Sequence, residues 1–261
     1  MRCRFLANGR GFTVVDLVIS STLFLVLVFA IYTLLESSRT TFAAGRAKVD
    51  VQQNARVALE LMEMDLRLAG YGFPTDPAPV GPQLKITAAS PTAITFRADL
   101  TNASTVLSAD LNSGGTSLSV ASAAGILAGD TIYLINGGQW QALTVTSAAG
   151  NTITVPGPGA TAAYPRGSQV GRPKAIIYSW NAGTISKDDG EGGGLQPLAE
   201  GVPVFQLRYF DTADVEIPSA SLAASLANIR RITVTFTAQS APGWWRPQTF
   251  TLTSDVRPRN L

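Results

Sequence analysis

From Phe12 to Leu35 the chain runs for 24 residues with one charged side chain, Asp16. As a helix this stretch is roughly 36 Å long, against ~30 Å of bilayer hydrocarbon. An apolar run of this length with basic residues on one flank does not suit a soluble core. Arg2, Arg4 and Arg10 precede it, and the first eleven residues hold no acid. That asymmetry keeps the leader cytoplasmic and sends everything after Leu35 across the membrane. Secretory signal peptides are cut after their apolar segment, whereas here the Gly11-Phe12 junction places the cut before it. Such a cut leaves the helix on the mature chain, with a free amine at Phe12.

Composition narrows the function classes. Losing residues 1–11 removes three of the 20 Lys and Arg, leaving 17 against 18 Asp and Glu. The mature chain is therefore near neutral and lacks the clustered cationic surface of a nucleic-acid binder. Histidine is absent and the only cysteine is Cys3, inside the leader. Disulfides, Cys/His metal sites, thiol nucleophiles and His-dependent triads are excluded from the mature chain. The residues imply no cofactor and no metal, and an enzyme is not expected.

The helical pattern continues past the membrane. Between Glu36 and Ala69 there is no proline, and only Gly45 interrupts good helix formers, marking a place for a kink. Val57, Leu61, Met64 and Leu68 recur at helical spacing, with Leu59, Met62 and Leu66 widening the apolar stripe. Gly70 supplies a stop, and Pro74 forbids continuation. A helix over 12–69 would be about 87 Å long. Residues 71–83 contain four prolines and read as a linker.

Beyond the linker, short alternating strands are predicted at Ile94–Arg97, Thr131–Ile135 and Lys174–Trp180, the last followed by a turn at Asn181-Ala182-Gly183. Leu143–Thr146 and Thr152–Val155 flank Gly150-Asn151 as a hairpin. Val204–Phe210, Arg231–Thr237 and Thr249–Val256 carry the strongest alternation and predict a sheet with one buried face. Residues 101–167, rich in Ala, Ser, Gly and Thr, read as a β-hairpin insertion that buries little by itself. The expected fold class is α+β: a long N-terminal helix, membrane-spanning over 12–35 and amphipathic over 36–70. That helix packs on a mostly antiparallel sheet domain over 84–261.

Gly11 and Phe12, followed by an acid at Asp16, resemble the prepilin cleavage and N-methylation signal of type IV pilins. Val51–Glu60 and Asp65–Gly72 resemble the helix end of PilW-type minor pilins, as do Leu198–Val202 and the closing Ser254–Leu261. The resemblance covers both ends of the chain. It implies a pilin-like fold, cleavage after Gly11 by prepilin peptidase and methylation of Phe12. Its implied partners are the inner membrane, the major pilin and other minor pilins, met through helix packing. The mature protein would begin in the inner membrane, with its C-terminal domain in the periplasm, and end in the pilus at the cell surface. The family's acid is usually glutamate, so Asp16 is one methylene short. In that family the acid neutralises the N-terminal amine of a neighbouring subunit. Opposite charges ~4 Å apart gain roughly 4 kcal/mol at an effective dielectric near 20, which supports such a role.

Three function readings remain open at this stage. The first is a minor pilin acting in pilus assembly, priming or at the tip. The second is a J-type pseudopilin of a type II secretion system, and the third a pilus-carried adhesin with the insertion and Trp244-Trp245 at its receptor surface. The preferred reading of Trp244-Trp245 is nevertheless a plug on the end of its own core. Lys187–Gly194 gathers three carboxylates in a turn, but its spacing is not that of an EF-hand, and a solvated turn is the preferred reading. Asn102-Ala103-Ser104 matches a glycosylation sequon, a tripeptide common by chance.

Overall fold

The computed structural model describes residues 13–75, 84–240 and 247–261. It contains one long helix, α1, over Val14–Arg67. Its 54 residues correspond to about 81 Å at the usual rise. The helix runs through Gly45 without a break. A Cβ at Gly45 would meet nothing within 4 Å, so no neighbouring element wedges the helix open there. It ends at Leu68, whose N–H donates to the Asp65 carbonyl. Gly70, two residues on, takes a φ of +85° and donates its N–H to the Arg97 carbonyl at 2.8 Å. Any side chain there would strike the Asn260 carbonyl, 2.6 Å from the position of a Cβ. The closing residues seal this end: the Arg259 N–H donates to the Arg67 carbonyl, and Lys85 Nζ donates to the Asn260 carbonyl at 2.6 Å.

The strands follow in chain order. β1 (Ile86–Ala89) and β2 (Ala93–Ala98) come first. Next are β3 (Thr105–Val106), β4 (Ser117–Ser119), β5 (Thr131–Asn136), β6 (Gln139–Thr144), β7 (Ser147–Ala149), β8 (Thr152–Thr154) and β9 (Gln169–Gly171). The chain closes with β10 (Lys174–Asn181), β11 (Thr184–Asp188), β12 (Gln196–Ala199), β13 (Val204–Phe210), β14 (Arg231–Gln239) and β15 (Thr249–Val256). Two antiparallel sheets form the body, ordered β1-β2-β10-β11-β12 and β13-β14-β15. The fold is therefore α+β, a long apolar helix joined to a mostly antiparallel sheet domain. Ala182 and Gly183, both with positive φ, make the two-residue turn that folds β11 back on β10.

The helix meets the body through the part of the expected stripe that carries Leu59, Met62 and Leu66, and turns the rest of that stripe away. Ala55, Ala58, Leu59, Met62, Leu66 and Ala69 are buried, together with Asp65. Val57 and Met64 are 62% and 56% exposed, and Leu61 and Leu68 are only half-buried. The line through Val57, Leu61, Met64 and Leu68 lies about 120° round the helix axis from the buried one. The alanines explain the choice, since small side chains let the helix settle close to β14 and β15 while Leu59, Met62 and Leu66 fill the space between. Facing them are Phe96, Tyr178, Leu207, Val234 and Phe236, all essentially inaccessible. Leu66→Ala is accordingly expected to cost about 2–5 kcal/mol in an unfolding titration. Met64→Ala should stay within about 0.5 kcal/mol of the unsubstituted chain.

The insertion lies between β2 and β10, which pair with each other, so the chain leaves the sheet and returns beside itself. Its strands form two small sheets, β3-β9-β5-β6 and β4-β8-β7. Contrary to the expectation from its small residues, it has a core of its own. Leu118, Val120, Ile132, Leu134, Ile153 and Val170 are fully buried there. The hairpin at Gly150-Asn151 pairs β8 with Ser147–Ala149 rather than with Leu143–Thr146. The chain changes partner one step earlier: the Val145 N–H donates to the Asp130 carbonyl, and the Thr146 N–H to the Thr154 carbonyl.

Candidate functional site

Among the described residues α1 is the one helix long and apolar enough to cross a membrane. Every side chain from Val14 to Leu35 is exposed, so this half buries nothing within its own chain. Three of its hydroxyls are satisfied locally. Ser21 and Thr22 donate to the Val18 carbonyl, and Thr33 to the Ala30 carbonyl. A helix pairs its backbone groups within itself, which is what hydrocarbon requires. From Glu36 to Asp50 no side chain is fully buried either, so a helical stalk of roughly 22 Å continues beyond the apolar half.

Asp16 sits at the third helical position and closes a capping box with Thr13. Thr13 Oγ1 accepts the Asp16 N–H at 3.2 Å. Asp16 Oδ2 in turn accepts the Thr13 N–H at 3.1 Å and the Thr13 hydroxyl at 2.8 Å. The acid is thus fixed at the positive end of the helix dipole. Among the described residues no group donates to its other oxygen, Oδ1. Gly11 and Phe12, the expected cleavage and methylation positions, lie outside the described residues, as do Trp244 and Trp245.

At the far end the helix is pinned by a buried acid that the sequence reading passed over. Asp65 is 2% exposed on the inner face of α1. Its Oδ2 accepts the Tyr178 hydroxyl at 2.6 Å, and Lys187 Nζ stands 2.6 Å from the same oxygen. Burial, and then the neighbouring Asp65 charge, push the Tyr178 phenol far above its ordinary pKa, so it remains a donor. The signal was present in the sequence: an acid at the i+3 position after Met62, inside an apolar stripe, needs a partner.

A second buried group lies where the insertion joins the body. Arg172, 1% exposed, donates from Nε to Asp130 Oδ2 at 2.5 Å. It grips Glu191 with both terminal nitrogens, at 2.8 and 2.7 Å. Lys174 pairs with the other oxygen of Asp130. No family of known proteins, curated protein or solved structure matches this chain. Its site must therefore be read from these contacts alone.

The acidic turn after β11 is occupied by the protein's own groups. Glu191 holds Arg172, Asp188 accepts the Gly190 N–H, and Asp189 accepts the Glu191 N–H. Among the described residues no three carboxylates converge as a metal site. Asn102, in the sequon, accepts the Tyr71 hydroxyl at 3.3 Å. Burial raises the pKa of Asp130, but hydrogen bonds from Lys174, the Leu127 N–H and Arg172 outweigh it and hold the carboxyl below its ordinary value. A lowered folded-state pKa gives stability that is complete above the unfolded value of about 3.9 and fades as pH falls through the folded one. Asp130→Asn should therefore flatten the loss of stability in acid unfolding curves recorded from pH 7 to pH 2. An unchanged acid limb would contradict that coupling.

Proposed function

We propose that this chain is a minor pilin of a type IV pilus, of the PilW type. It is inserted in the inner membrane, cut by prepilin peptidase after Gly11 and methylated on Phe12. It then acts in pilus assembly, in priming or at the tip. The reading rests on one observation: a single unbroken helix is bare and apolar over its first half and built into a β domain over its second. Such an element serves first as an anchor and then as a packing spine, with no chemistry required of it. The near-neutral mature charge and the absence of histidine agree with a structural part rather than an enzyme. Its length, well above that of a repeating shaft subunit, favours a low-abundance position. The pilin-like character of the fold and its partners, the major pilin and other minor pilins, belong to the same proposal.

The capping box supports a role for Asp16 in assembly. Oδ2 ties the acid to its own helix start, which leaves Oδ1 for the Phe12 amine of a neighbouring subunit. Asp16→Ala should leave cleavage largely intact, because the scissile bond lies before the helix. Incorporation into sheared pili, followed by immunoblot against the membrane pool, should fall severalfold. Normal incorporation of Asp16→Ala would refute the pairing role.

A further inference from the structure

We infer that the insertion, residues 99–173, is a lobe held at a fixed angle by an ionic latch around Arg172. Opening the latch lets the lobe swing on its two connecting strands while both cores stay folded. The inference stands apart from the pilin reading, because it follows from how the two cores are joined.

The two hydrophobic cores have no residue in common. The chain leaves the body core after Leu100, which still packs on it, and returns at Lys174; Ala98 and Lys174 face each other as partners in one sheet. Two adjacent strands make a narrow stem that resists stretching better than rotation. At the stem the backbones touch directly: a Cβ on Gly171 would lie 2.0 Å from the Gly72 carbonyl oxygen. Apolar contact across the junction centres on two buried rings. Phe73 and Tyr133 meet with ring centroids 4.6 Å apart, and Arg97 donates to the Tyr133 hydroxyl at 3.4 Å. Surface clefts of about 380 and 460 Å³ flank this junction, one beside Gly171 and one beside Tyr133.

What fixes the angle is charge. Arg172 stands at the root of the lobe, already paired with Asp130 inside it, and reaches across to Glu191 of the body with a two-pronged grip. Lys174 of the body reaches back to Asp130. Two-pronged guanidinium–carboxylate pairs set orientation as well as distance. The latch is also registered to α1. Lys187, in β11 and four residues before Glu191, is the cation that binds Asp65. The strand thus grips the helix, and the turn that follows it grips the lobe.

The test is an electron–electron distance measurement on the full chain in detergent. Cys3→Ser clears the one native thiol, and spin labels go on Ser117→Cys in the lobe and Ala224→Cys in the body, both exposed. The unsubstituted latch should give one narrow distance distribution. Glu191→Ala combined with Lys174→Met should give a broad one. Amide exchange at Ile132 and Leu134, and at Val234 and Phe236, should stay as slow as before. A distribution that remains narrow overturns the latch, and so does broadening accompanied by lost protection in the lobe core. If the double variant fails to fold, Glu191→Gln decides: it keeps the shape of Glu191 but weakens the grip, so broadening supports the latch and an unchanged narrow distribution overturns it.

Discussion

Asp65→Ala is expected to destabilise the protein by about 3–5 kcal/mol, the cost of removing one partner from a buried ion pair. The carboxylate is enclosed by the inner face of α1 and by β10 and β11, where it serves Tyr178 and Lys187 at once. Without it the Lys187 ammonium loses its counter-charge, and the Tyr178 hydroxyl faces a void with nothing to accept its proton. Asp65→Asn keeps an acceptor for Tyr178 and should lose less. Tyr178→Phe removes a single neutral donor and should cost about 1 kcal/mol, the net worth of one hydrogen bond. Thermal unfolding of the detergent-solubilised chain, followed by circular dichroism, ranks the three variants. The order Ala, Asn, Phe from most to least damaging is the predicted result. An Asp65→Ala variant within about 1 kcal/mol of the parent would show that the helix is held by apolar packing alone.

The other large effect is one of processing. Replacing Gly11 should abolish cleavage, because glycine offers the closest backbone approach to a peptidase and any side chain obstructs it. The uncut chain keeps Arg2, Arg4 and Arg10 beside the membrane half of α1. Those charges would have to enter the apolar seam between packed helices, where burial without a partner is prohibitive. Gly11→Ala should therefore accumulate at full length in the inner membrane and be lost from the filament fraction. A Gly11→Ala protein still trimmed to Phe12 would place the cleavage signal elsewhere.

Much of the architecture was legible because it depends on local periodicity. The helix and the strands at Val204–Phe210, Arg231 onward and Thr249–Val256 each declare themselves within a dozen residues. The face of α1 was read only in part: Leu59, Met62 and Leu66 are buried as expected, but the stripe was centred on the wrong line. Val57 and Met64 are the larger groups, yet Ala55, Ala58 and Ala69 mark the side where another surface comes close. The core of the insertion was underestimated for a related reason. Its large aliphatics, from Leu118 to Val170, are diluted along the sequence and gather only when the two small sheets fold together. The buried charges were the least legible. Arg172 meets Asp130 across 42 residues and Tyr178 meets Asp65 across 113, distances over which no spacing rule operates. Only their chemistry gave a hint, in an acid placed inside an apolar stripe. For Asp16 the sequence supplied the residue, while the capping box with Thr13 supplied its geometry.

The proposed function turns on whether the apolar helix is freed at its N-terminus. The direct measurement is the intact mass and N-terminal peptide of the protein recovered from membranes. The account predicts a chain that begins at Phe12 and carries one added methyl group on its amine. A chain that keeps Met1 and residues 2–11 in place would contradict it, leaving a membrane-anchored β domain with no route into a filament.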